Sequence, residues 1–453
     1  MTIKRGLLDR ISSGKLILSS FALVIVLGSI LLMLPISSAS GRFTPLLDAG
    51  FTATSATCVT GLIVFDTATH WSIFGKVVIL ILIQIGGLGL ITFTTFFMLS
   101  VRKKAAMRNI NLAKESVGVN SIVNIRKLVR MVVYNSLVIE LIGMLLLATR
   151  FVPRFGFKGL AIAGFLAVSA FCNAGFDVLG TPDNLFSSLT EYNGDPVVLL
   201  TISALIVIGG AGFIVWQDVR EYPKTRRLTL HTKVVLLATF LLVVGGTLLF
   251  MLFEWNQTLA GMPFPEKVNA SIFQSVTCRT AGFNSVPAGN TLGISRLLMI
   301  LLMFIGAAPG STGGGIKVTT FTVIIMTVVS AIRGKSDTAI LHRRVDKQTV
   351  YKSFAIAMLA IFLVAVTSGV IYFSEPPGTH SALNCVYEAV SAFGTVGIST
   401  GLTPSLHALS KIALMITMYL GRVGPVTFVI ALTLRNMQKK NAEILPEGQI
   451  NVG

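Results

Sequence analysis

Eight long apolar segments constrain what this chain can fold into. Each holds about 20 or more mostly apolar residues, and a helix of that length spans the ~30 Å of hydrocarbon in a bilayer. Of the 453 residues, 53% are hydrophobic and 12% are charged, which is beyond the apolar content of soluble domains. The sequence therefore predicts an all-α polytopic membrane protein with eight spanning segments, at approximately 15–36, 73–100, 128–149, 196–217, 232–253, 293–330, 350–373 and 407–434.

Basic residues are concentrated between alternate apolar segments. Cytoplasmic loops of membrane proteins carry an excess of Lys and Arg, so these segments are predicted to be cytoplasmic, together with both chain termini. The predicted cytoplasmic segments hold 26 of the 37 Lys and Arg residues but 8 of the 19 acids, and they are 1–15, 101–130, 216–233, 331–352 and 435–453. This asymmetry accounts for the net charge of +18 without a nucleic-acid partner.

Four glycine-containing stretches recur along the chain. They read CVTGLI, CNAGFD, RTAGFN and GTVGIS, and their glycines are Gly61, Gly175, Gly282 and Gly397. A further glycine follows each of them 24 to 34 residues later, within the next apolar segment. The pattern predicts four tandem units, each with a spanning helix (M1), a re-entrant pore helix with a glycine loop (P) and a second spanning helix (M2).

The predicted pore helices are too short to cross the membrane. Polar residues that favour helix starts precede three of the glycine loops, namely Asp48, Asn269 and Asn384, which predicts half-helices of roughly 10–12 residues. Non-helical backbone is tolerated at membrane depth only where it is buried in protein or lines water. Four loops that meet on one pseudo-fourfold axis satisfy that condition.

The loop composition predicts a path for cations. Glycine allows the positive φ that turns successive carbonyls toward an axis, and carbonyl oxygens can replace the hydration shell of K⁺. The C-terminal ends of the half-helices also favour a cation in the centre. We expect K⁺ as the permeating ion and no tightly bound cofactor or resident metal.

The repeat boundaries divide the chain into nine parts. These are the N-terminus 1–14, repeat one 15–100, linker 101–127, repeat two 128–218, linker 219–231, repeat three 232–330, linker 331–349, repeat four 350–434 and the tail 435–453.

The glycine stretches resemble those of a known family. The segments TATSATCVTGLIVFDTATHW, SAFCNAGFD, TCRTAGFNS and SAFGTVGIST are similar to the Trk/Ktr/HKT superfamily of potassium transporters, and most of all to bacterial KtrB-type membrane subunits. The resemblance implies K⁺ uptake across a bacterial plasma membrane by a homodimer with one pore per protomer. It also implies a cytoplasmic RCK ring of the KtrA type, so that nucleotide acts only through that partner.

The resemblance further implies a selectivity filter built mainly from backbone carbonyls. Only the fourth loop, with Thr-Val-Gly, is fully similar to a channel filter, and Gly61 favours K⁺ because plant relatives with serine there prefer Na⁺. A sodium-coupled potassium symporter, or a Na⁺/K⁺ transporter of the same fold, stays open as the alternative. The implied filter residues are Val59, Thr60, Gly61, Asn173, Ala174, Gly175, Thr280, Ala281, Gly282, Thr395, Val396 and Gly397.

The sixth segment contains IGAAPGSTGGGIK at 305–317. Glycine costs about 1 kcal/mol and proline about 3 kcal/mol in a helix interior, which predicts a break. A loop within the membrane keeps the basic segment 331–352 cytoplasmic, whereas an extramembrane loop would reverse it. The resemblance makes this intramembrane loop a gate, and the implied gate residues are Gly306, Pro309, Gly310, Ser311, Thr312, Gly313, Gly314, Gly315, Lys317 and Arg422.

Two arginines are placed at membrane depth. Arg422 must pair or face water, either as a partner of a carbonyl or of Glu140, or as a positive barrier below the cavity that also stabilises the closed loop. Arg279 lies three residues before Gly282. We expect it behind the filter, in a structural role and paired with an acid such as Glu388.

Other functional classes lack the residues they need. All five histidines lie at or outside the ends of the spans, and no H-E-x-x-H or G-x-S-x-G motif is present, which argues against an enzyme. The four units share one orientation, which argues against an inverted-repeat transporter. The cysteines lack metal or disulfide spacing and are predicted to pack as small apolar groups, namely Cys58, Cys172, Cys278 and Cys385.

Several acids lie in the predicted outer segments. Asp66 and Asp177 follow the first and second glycine loops and could raise the local cation concentration at the pore entrance. For Asp183, Glu191 and Asp195 a solvated loop is an equally good interpretation.

Overall fold

The computed structural model describes residues 13–89 and 125–424, and their regular secondary structure is almost entirely helical. The α-helices are α1 Ser13–Met33, α2 Leu46–Thr57, α3 Thr67–His70, α4 Ile73–Leu88, α5 Ile125–Phe155, α6 Phe157–Phe171, α7 Pro196–Gly210, α8 Phe213–Thr225, α9 Leu230–Glu254, α10 Phe264–Thr277, α11 Gly293–Phe304, α12 Val318–Ile332, α13 Lys347–Ser374, α14 Ala382–Gly394 and α15 Ala408–Val423. Single 3₁₀ turns cover Pro35–Ser37, Thr190–Tyr192, Ala288–Asn290 and Thr403–Ser405, and β1 Ala339–Ile340 pairs antiparallel with β2 Arg343–Arg344.

Some predicted segments lie outside the described residues. These are most of the N-terminus 1–14, the second part of the span 73–100, nearly all of the linker 101–127, the end of the span 407–434 and the tail 435–453.

Three helices of the described chain are long and apolar enough to cross a membrane alone, namely α5, α9 and α13. A fourth is added if α7 and α8 count as one bent span. Large apolar side chains cover their outer faces, as with Leu241 on α9 and Phe362 on α13, which are 59% and 68% exposed. Apolar faces of this kind suit contact with lipid tails.

Four short helices each lead into one of the glycine stretches. They are α2, α6, α10 and α14, with 12, 15, 14 and 13 residues, so α2 has the predicted length of 10–12 residues and the other three are slightly longer. The three polar residues predicted to start such helices do not do so. Instead, Pro45 and Pro263 precede α2 and α10, and Ser381 caps α14. Proline suits the start of a helix because it has no N–H that needs a partner there.

An ion pair joins the beginning of the described chain to its end. Lys411 Nζ on α15 donates to Asp48 Oδ1 on α2 at 2.8 Å, and the two side chains are 11% and 15% exposed. The Tyr419 hydroxyl on α15 donates to the carbonyl of Leu18 on α1 at 2.7 Å. The fourth helical unit therefore closes onto the first.

Two of the predicted spans are broken. Helix α11 ends at Phe304 and α12 begins at Val318, and residues 305–317 between them are not helical. The prediction of one continuous span over 196–217 was wrong, because α7 and α8 meet at a bend of 95°. Gly212 at this bend has a φ of 92°, a conformation that glycine adopts at little cost.

The glycines in the second predicted span of each unit allow close packing between helices. At Gly86, Gly209 and Gly421 a Cβ atom would overlap a backbone carbonyl at the end of the adjacent short helix. Gly306 lies instead against the carbonyl of Gly314, because the chain after α11 folds back on itself. In the third unit this glycine therefore contacts the loop 305–317, whereas in the other units it contacts the end of a short helix.

Candidate functional site

The four glycine loops, defined as residues 58–61, 172–175, 279–282 and 394–397, share an unusual backbone conformation. The final glycines have φ of 91°, 68°, 85° and 95° in chain order. The residues two positions earlier have φ of 58°, 60°, 69° and 48°, and they are Val59, Asn173, Thr280 and Thr395. Three of these four residues are β-branched and rarely adopt positive φ, so the repeated values indicate that the four loops follow the same backbone path.

The glycine loops contact one another in cyclic order. The carbonyl of the residue directly before each loop glycine is called the middle carbonyl of that loop. A Cβ atom on the glycine of any loop would overlap the middle carbonyl oxygen of the next loop. The four pairs are Gly61 with Ala174, Gly175 with Ala281, Gly282 with Val396, and Gly397 with Thr60. The last pair closes the ring. Each position therefore favours glycine for two reasons, its positive φ and the lack of space for a Cβ atom beside the next loop.

Backbone hydrogen bonds hold the loops against their own short helices. The N–H before the glycine donates to a helix carbonyl in all four loops, from Thr60 to Ser55, Ala174 to Ser169, Ala281 to Thr277 and Val396 to Ser391, at 2.8, 2.7, 3.0 and 2.8 Å. The hydroxyls of Ser55 and Ser391 also accept the N–H groups of the glycines, at 3.0 and 3.1 Å. Within residues 13–89 and 125–424, no hydrogen bond ends on the four middle carbonyls. Buried carbonyls of this kind are available to a cation or to water.

A cavity of about 520 Å³ adjoins the ring, and all four loop glycines line it. Asp177 also lines the cavity, and its Oδ1 accepts the backbone N–H of Leu179 at 3.1 Å. Burial, with a smaller contribution from the nearby carboxylate of Asp66, raises the pKa of the Asp177 carboxyl to about 6. Asp66 itself accepts the backbone N–H of Phe186 at 3.0 Å, which ties the segment between α6 and α7 to the residues that follow the first loop.

The intramembrane loop, residues 305–317, lies against the other side of the ring. A Cβ on Gly313 would overlap the hydroxyl of Thr280, and one on Gly314 would overlap that of Thr395. Lys317 Nζ donates to the carbonyl of Gly313 at 2.6 Å. Because Gly313 and Gly314 have no side chains, their backbone can pack directly beneath the third and fourth glycine loops.

Arg422 fastens this loop from the opposite helix. Its guanidinium donates to the carbonyls of Thr312 in the intramembrane loop and of Gly86 on α4, and also to that of Gly87 at 3.3 Å. The planar guanidinium uses separate nitrogens for Thr312 and Gly86, whereas a lysine would have all three of its donors on one nitrogen. The loop is thereby tied to the first and fourth units.

Three backbone hydrogen bonds dock the loop onto the bend between α7 and α8. Ala308 N donates to Gly210 O at 3.0 Å, and Thr312 N donates to Gly209 O at 3.3 Å. Phe213 N donates in return to Gly310 O at 2.8 Å. The loop 305–317 and the α7–α8 bend thus form hydrogen bonds with each other's free backbone N–H and C=O groups. Buried backbone groups need such partners.

A family model described as a cation transport protein, TrkH, matches residues 4–444. This chain belongs to the TrkH family. It is thus a multi-pass membrane protein of a transporter family, and that family is not one of enzymes. Family membership confirms the class predicted from composition and from the glycine stretches.

Relatives of this TrkH-family chain include two uptake proteins. It is 37% identical to the potassium/sodium uptake protein NtpJ of Enterococcus hirae over 100% of both chains. It is 39% identical to the Ktr system potassium uptake protein B of Bacillus subtilis, over 98% of this chain and 97% of the other. The structure of the potassium transporter TrkH from Vibrio parahaemolyticus matches with a TM-score of 0.73 at 16% identity, over 96% and 87% of the two chains, which shows a common fold.

One predicted pairing in this TrkH-family chain was wrong. Arg279 does not contact Glu388; its Nη1 donates to the carbonyl of Thr239 on α9 at 3.5 Å. Arg279 lies against α9, whereas Glu388 faces the residues that follow Gly397, so the two side chains point to different parts of the protein. Glu140 is likewise not the partner of Arg422, because it accepts hydrogen bonds from Gln84 at 3.0 and 3.3 Å.

The outer acids have different surroundings. Asp195 pairs with Arg150 at 3.3 Å and Glu191 with Arg154 at 3.5 Å, while Asp183 is exposed. Of the five acids considered from the sequence, only Asp177 lines the cavity outside the ring. All four cysteines are buried free thiols, which agrees with the predicted packing role.

Two functional features were missed from the sequence. The α7–α8 bend could have been found, since Gly209, Gly210 and Gly212 form a glycine cluster like the one in the sixth span. The hydrogen bonds to Glu388 had a weaker signal, the run STGLT at 399–403, which begins two residues after Gly397.

Proposed function

We propose that this protein is the ion-translocating, channel-like subunit of a Ktr-type potassium uptake system. The observation that carries the proposal is the closed ring of four glycine loops whose middle carbonyls accept no hydrogen bond among the described residues. Oxygens in such a ring can replace the hydration shell of K⁺. The relatives named as potassium uptake proteins support the choice of ion.

The proposed architecture is four M1-P-M2 repeats with eight spans around a pseudo-fourfold pore. The repeated φ values and the cyclic contacts of the loops support it. The filter then consists of the twelve backbone-lined positions predicted from the sequence, and the cavity of about 520 Å³ is its outer vestibule. The ends of the short helices direct their partial negative charge toward the ion.

The proposed gate is the intramembrane loop together with Lys317 and Arg422. Gly313 and Gly314 lie directly beneath the filter threonines, so an ion cannot pass until the loop moves. The hydrogen bonds from Arg422 and to the α7–α8 bend hold it in this closed position. Arg422 also places a positive charge below the filter, which opposes cation passage.

The proposed assembly is a homodimer in a bacterial plasma membrane with both termini cytoplasmic. A cytoplasmic ring of nucleotide-binding subunits would bias the gate, so the chain itself needs no nucleotide site. The word "system" in the names of the Ktr relatives supports a partner, and the basic cytoplasmic segments support the orientation. The alternative function is sodium-coupled potassium uptake, or transport of both Na⁺ and K⁺ by the same fold, and the name of the Enterococcus hirae relative, which includes both ions, supports keeping it.

Radioactive Rb⁺ and Na⁺ uptake into proteoliposomes tests the function. The purified protein is expected to take up Rb⁺ at least about tenfold faster than Na⁺, because a carbonyl filter favours the larger, less tightly hydrated ion. Rb⁺ uptake that needs Na⁺ in the medium would support the coupled alternative instead. Absence of Rb⁺ uptake by folded protein, with and without a cytoplasmic ring subunit, would overturn both.

The vestibule predicts a dependence on external pH. Asp177 has its pKa raised to about 6, so it is charged at pH 7.5 and becomes neutral as the pH falls through 6. Loss of this charge lowers the local cation concentration, and the KM for Rb⁺ is expected to rise about threefold between pH 7.5 and 5. Asp177→Asn should have the high KM at both pH values. Asp183→Asn, an exposed acid outside the cavity, should behave as the wild type, and equal pH responses of all three proteins would contradict the assignment.

A further inference from the structure

Glu388 on α14 is a fully buried carboxylate at the back of the fourth glycine loop. Its Oε1 accepts from Ser399 Oγ at 2.6 Å, from Thr400 N at 2.9 Å and from Thr400 Oγ1 at 3.2 Å. Its Oε2 accepts from Thr403 Oγ1 at 2.8 Å. No ion pair of the described chain includes Glu388, so neutral donors alone offset the cost of burying the charge.

The donors belong to the segment that continues directly from the filter. Ser399 and Thr400 are the second and third residues after Gly397, and both line the outer vestibule. Glu388 therefore fixes the residues that follow Gly397, which form the outer end of the fourth loop. The backbone of α14 fixes the loop itself, because Val396 N donates to the carbonyl of Ser391. The chain between these two fixed points has little freedom to move.

The other three units have no such carboxylate. The positions in register with Glu388, nine residues before the loop glycine, are Thr52, Leu166 and Phe273. In the third unit neutral groups hold the segment instead: the Thr277 hydroxyl donates to the carbonyl of Phe283 at 2.7 Å, and the Ser285 hydroxyl donates to Gln274 Oε1 and to the carbonyl of Ala270 at 3.5 and 3.4 Å. The carboxylate thus occurs only behind the loop that carries Thr-Val-Gly.

We infer that Glu388 is a positioning residue for ion selectivity, which fixes the outer end of the fourth filter loop so that its carbonyls keep the spacing suited to K⁺. The inference rests on the proposed function. Selection of K⁺ over Na⁺ depends on the arrangement and number of coordinating carbonyls. A loop released from Glu388 can close around the smaller ion, so Na⁺ uptake rises relative to Rb⁺ uptake.

Glu388→Gln tests this inference, since it keeps the side-chain size but removes the charge and one acceptor oxygen. The ratio of Rb⁺ to Na⁺ uptake in proteoliposomes is expected to fall at least about fivefold, because one hydrogen bond to a charged group is lost or reversed. Glu388→Asp, which keeps the charge, is expected to restore part of the ratio. A wild-type ratio in folded Glu388→Gln would overturn the inference.

Glu254→Gln is the matched control. Glu254 is also fully buried, and it accepts three hydrogen bonds, from Thr258 N and Oγ1 and from Leu292 N, but it lies away from the filter loops. This variant should lose stability with an unchanged Rb⁺/Na⁺ ratio, and an equal fall of the ratio would reduce Glu388 to a general structural role and overturn the inference.

Thr403→Val decides the question if Glu388→Gln does not fold. It removes one of the four hydrogen bonds without a change in shape, and the Rb⁺/Na⁺ ratio should fall about twofold. An unchanged ratio would overturn the inference. The proposed function fails separately, because that failure shows as absent Rb⁺ uptake by the wild-type protein.

Discussion

Gly397→Ser is expected to lower Rb⁺ uptake about a hundredfold, because it combines left-handed strain with a steric overlap. Gly397 has a φ of 95°, and any Cβ there would overlap the carbonyl oxygen of Thr60 in the first loop. Two filter loops must therefore separate, which displaces two of the carbonyls that face the ion. Uptake into proteoliposomes, normalised to folded protein, measures the effect.

Gly401→Ser is the matched control for this change. Gly401 has a nearly equal φ of 93° and lies four residues further along the same segment, but no atom lies within 4 Å of a Cβ built there. It introduces the same backbone strain without the overlap, so uptake should stay within about threefold of the wild type. Equal losses in both variants would mean that strain in the segment, and not contact within the ring, limits uptake.

Arg422→Ala is expected to raise Rb⁺ uptake about tenfold in the absence of any partner subunit. Its guanidinium donates to carbonyls of the intramembrane loop and of α4, and a hydrogen bond to a charged group contributes about 1.5–3 kcal/mol. Loss of one such bond is enough to shift the balance between closed and open loop tenfold. Initial rates of Rb⁺ uptake measure the change in the fraction of protein with an open loop.

Arg422→Lys separates the two contributions of the arginine. Lysine keeps the positive charge but has one donor nitrogen in place of the two that Arg422 uses for Thr312 and Gly86, so a fastening role predicts increased uptake and a pure charge barrier predicts wild-type uptake. Arg296→Ala is the control, because Arg296 also donates to backbone carbonyls, those of Thr291 and Gly289, outside the gate. Increased uptake in Arg296→Ala would indicate that any loss of stability opens the pore.

Periodic features were accessible from sequence. Long apolar segments predicted the membrane class, and the spacing of Gly61, Gly175, Gly282 and Gly397 predicted loops that share one backbone path. Both signals are local: apolar length follows from bilayer thickness, and glycine marks positions where φ must be positive or backbones must approach closely. Such requirements act on single residues and are therefore visible without the fold.

Helix starts were less accessible, because one of the polar residues that favour them has a partner far away in the chain. Asp48 has the composition of a helix cap, but Pro45 lies earlier and the side chain pairs with Lys411 instead. These two residues are 363 positions apart in the chain. A side chain whose partner lies so far away in the chain cannot be assigned from its neighbours alone.

The sequence by itself determined that this chain spans a membrane, that it repeats a glycine loop four times, and that its sixth span contains a glycine-rich stretch. The tertiary structure decided which groups meet: Arg422 with the carbonyl of Thr312, the intramembrane loop with the α7–α8 bend, and Glu388 with the segment after Gly397 and not with Arg279. Polar groups at membrane depth must find partners inside the protein because lipid offers none. Which partner each one finds depends on the distances between helices, and those distances exist only in the folded chain.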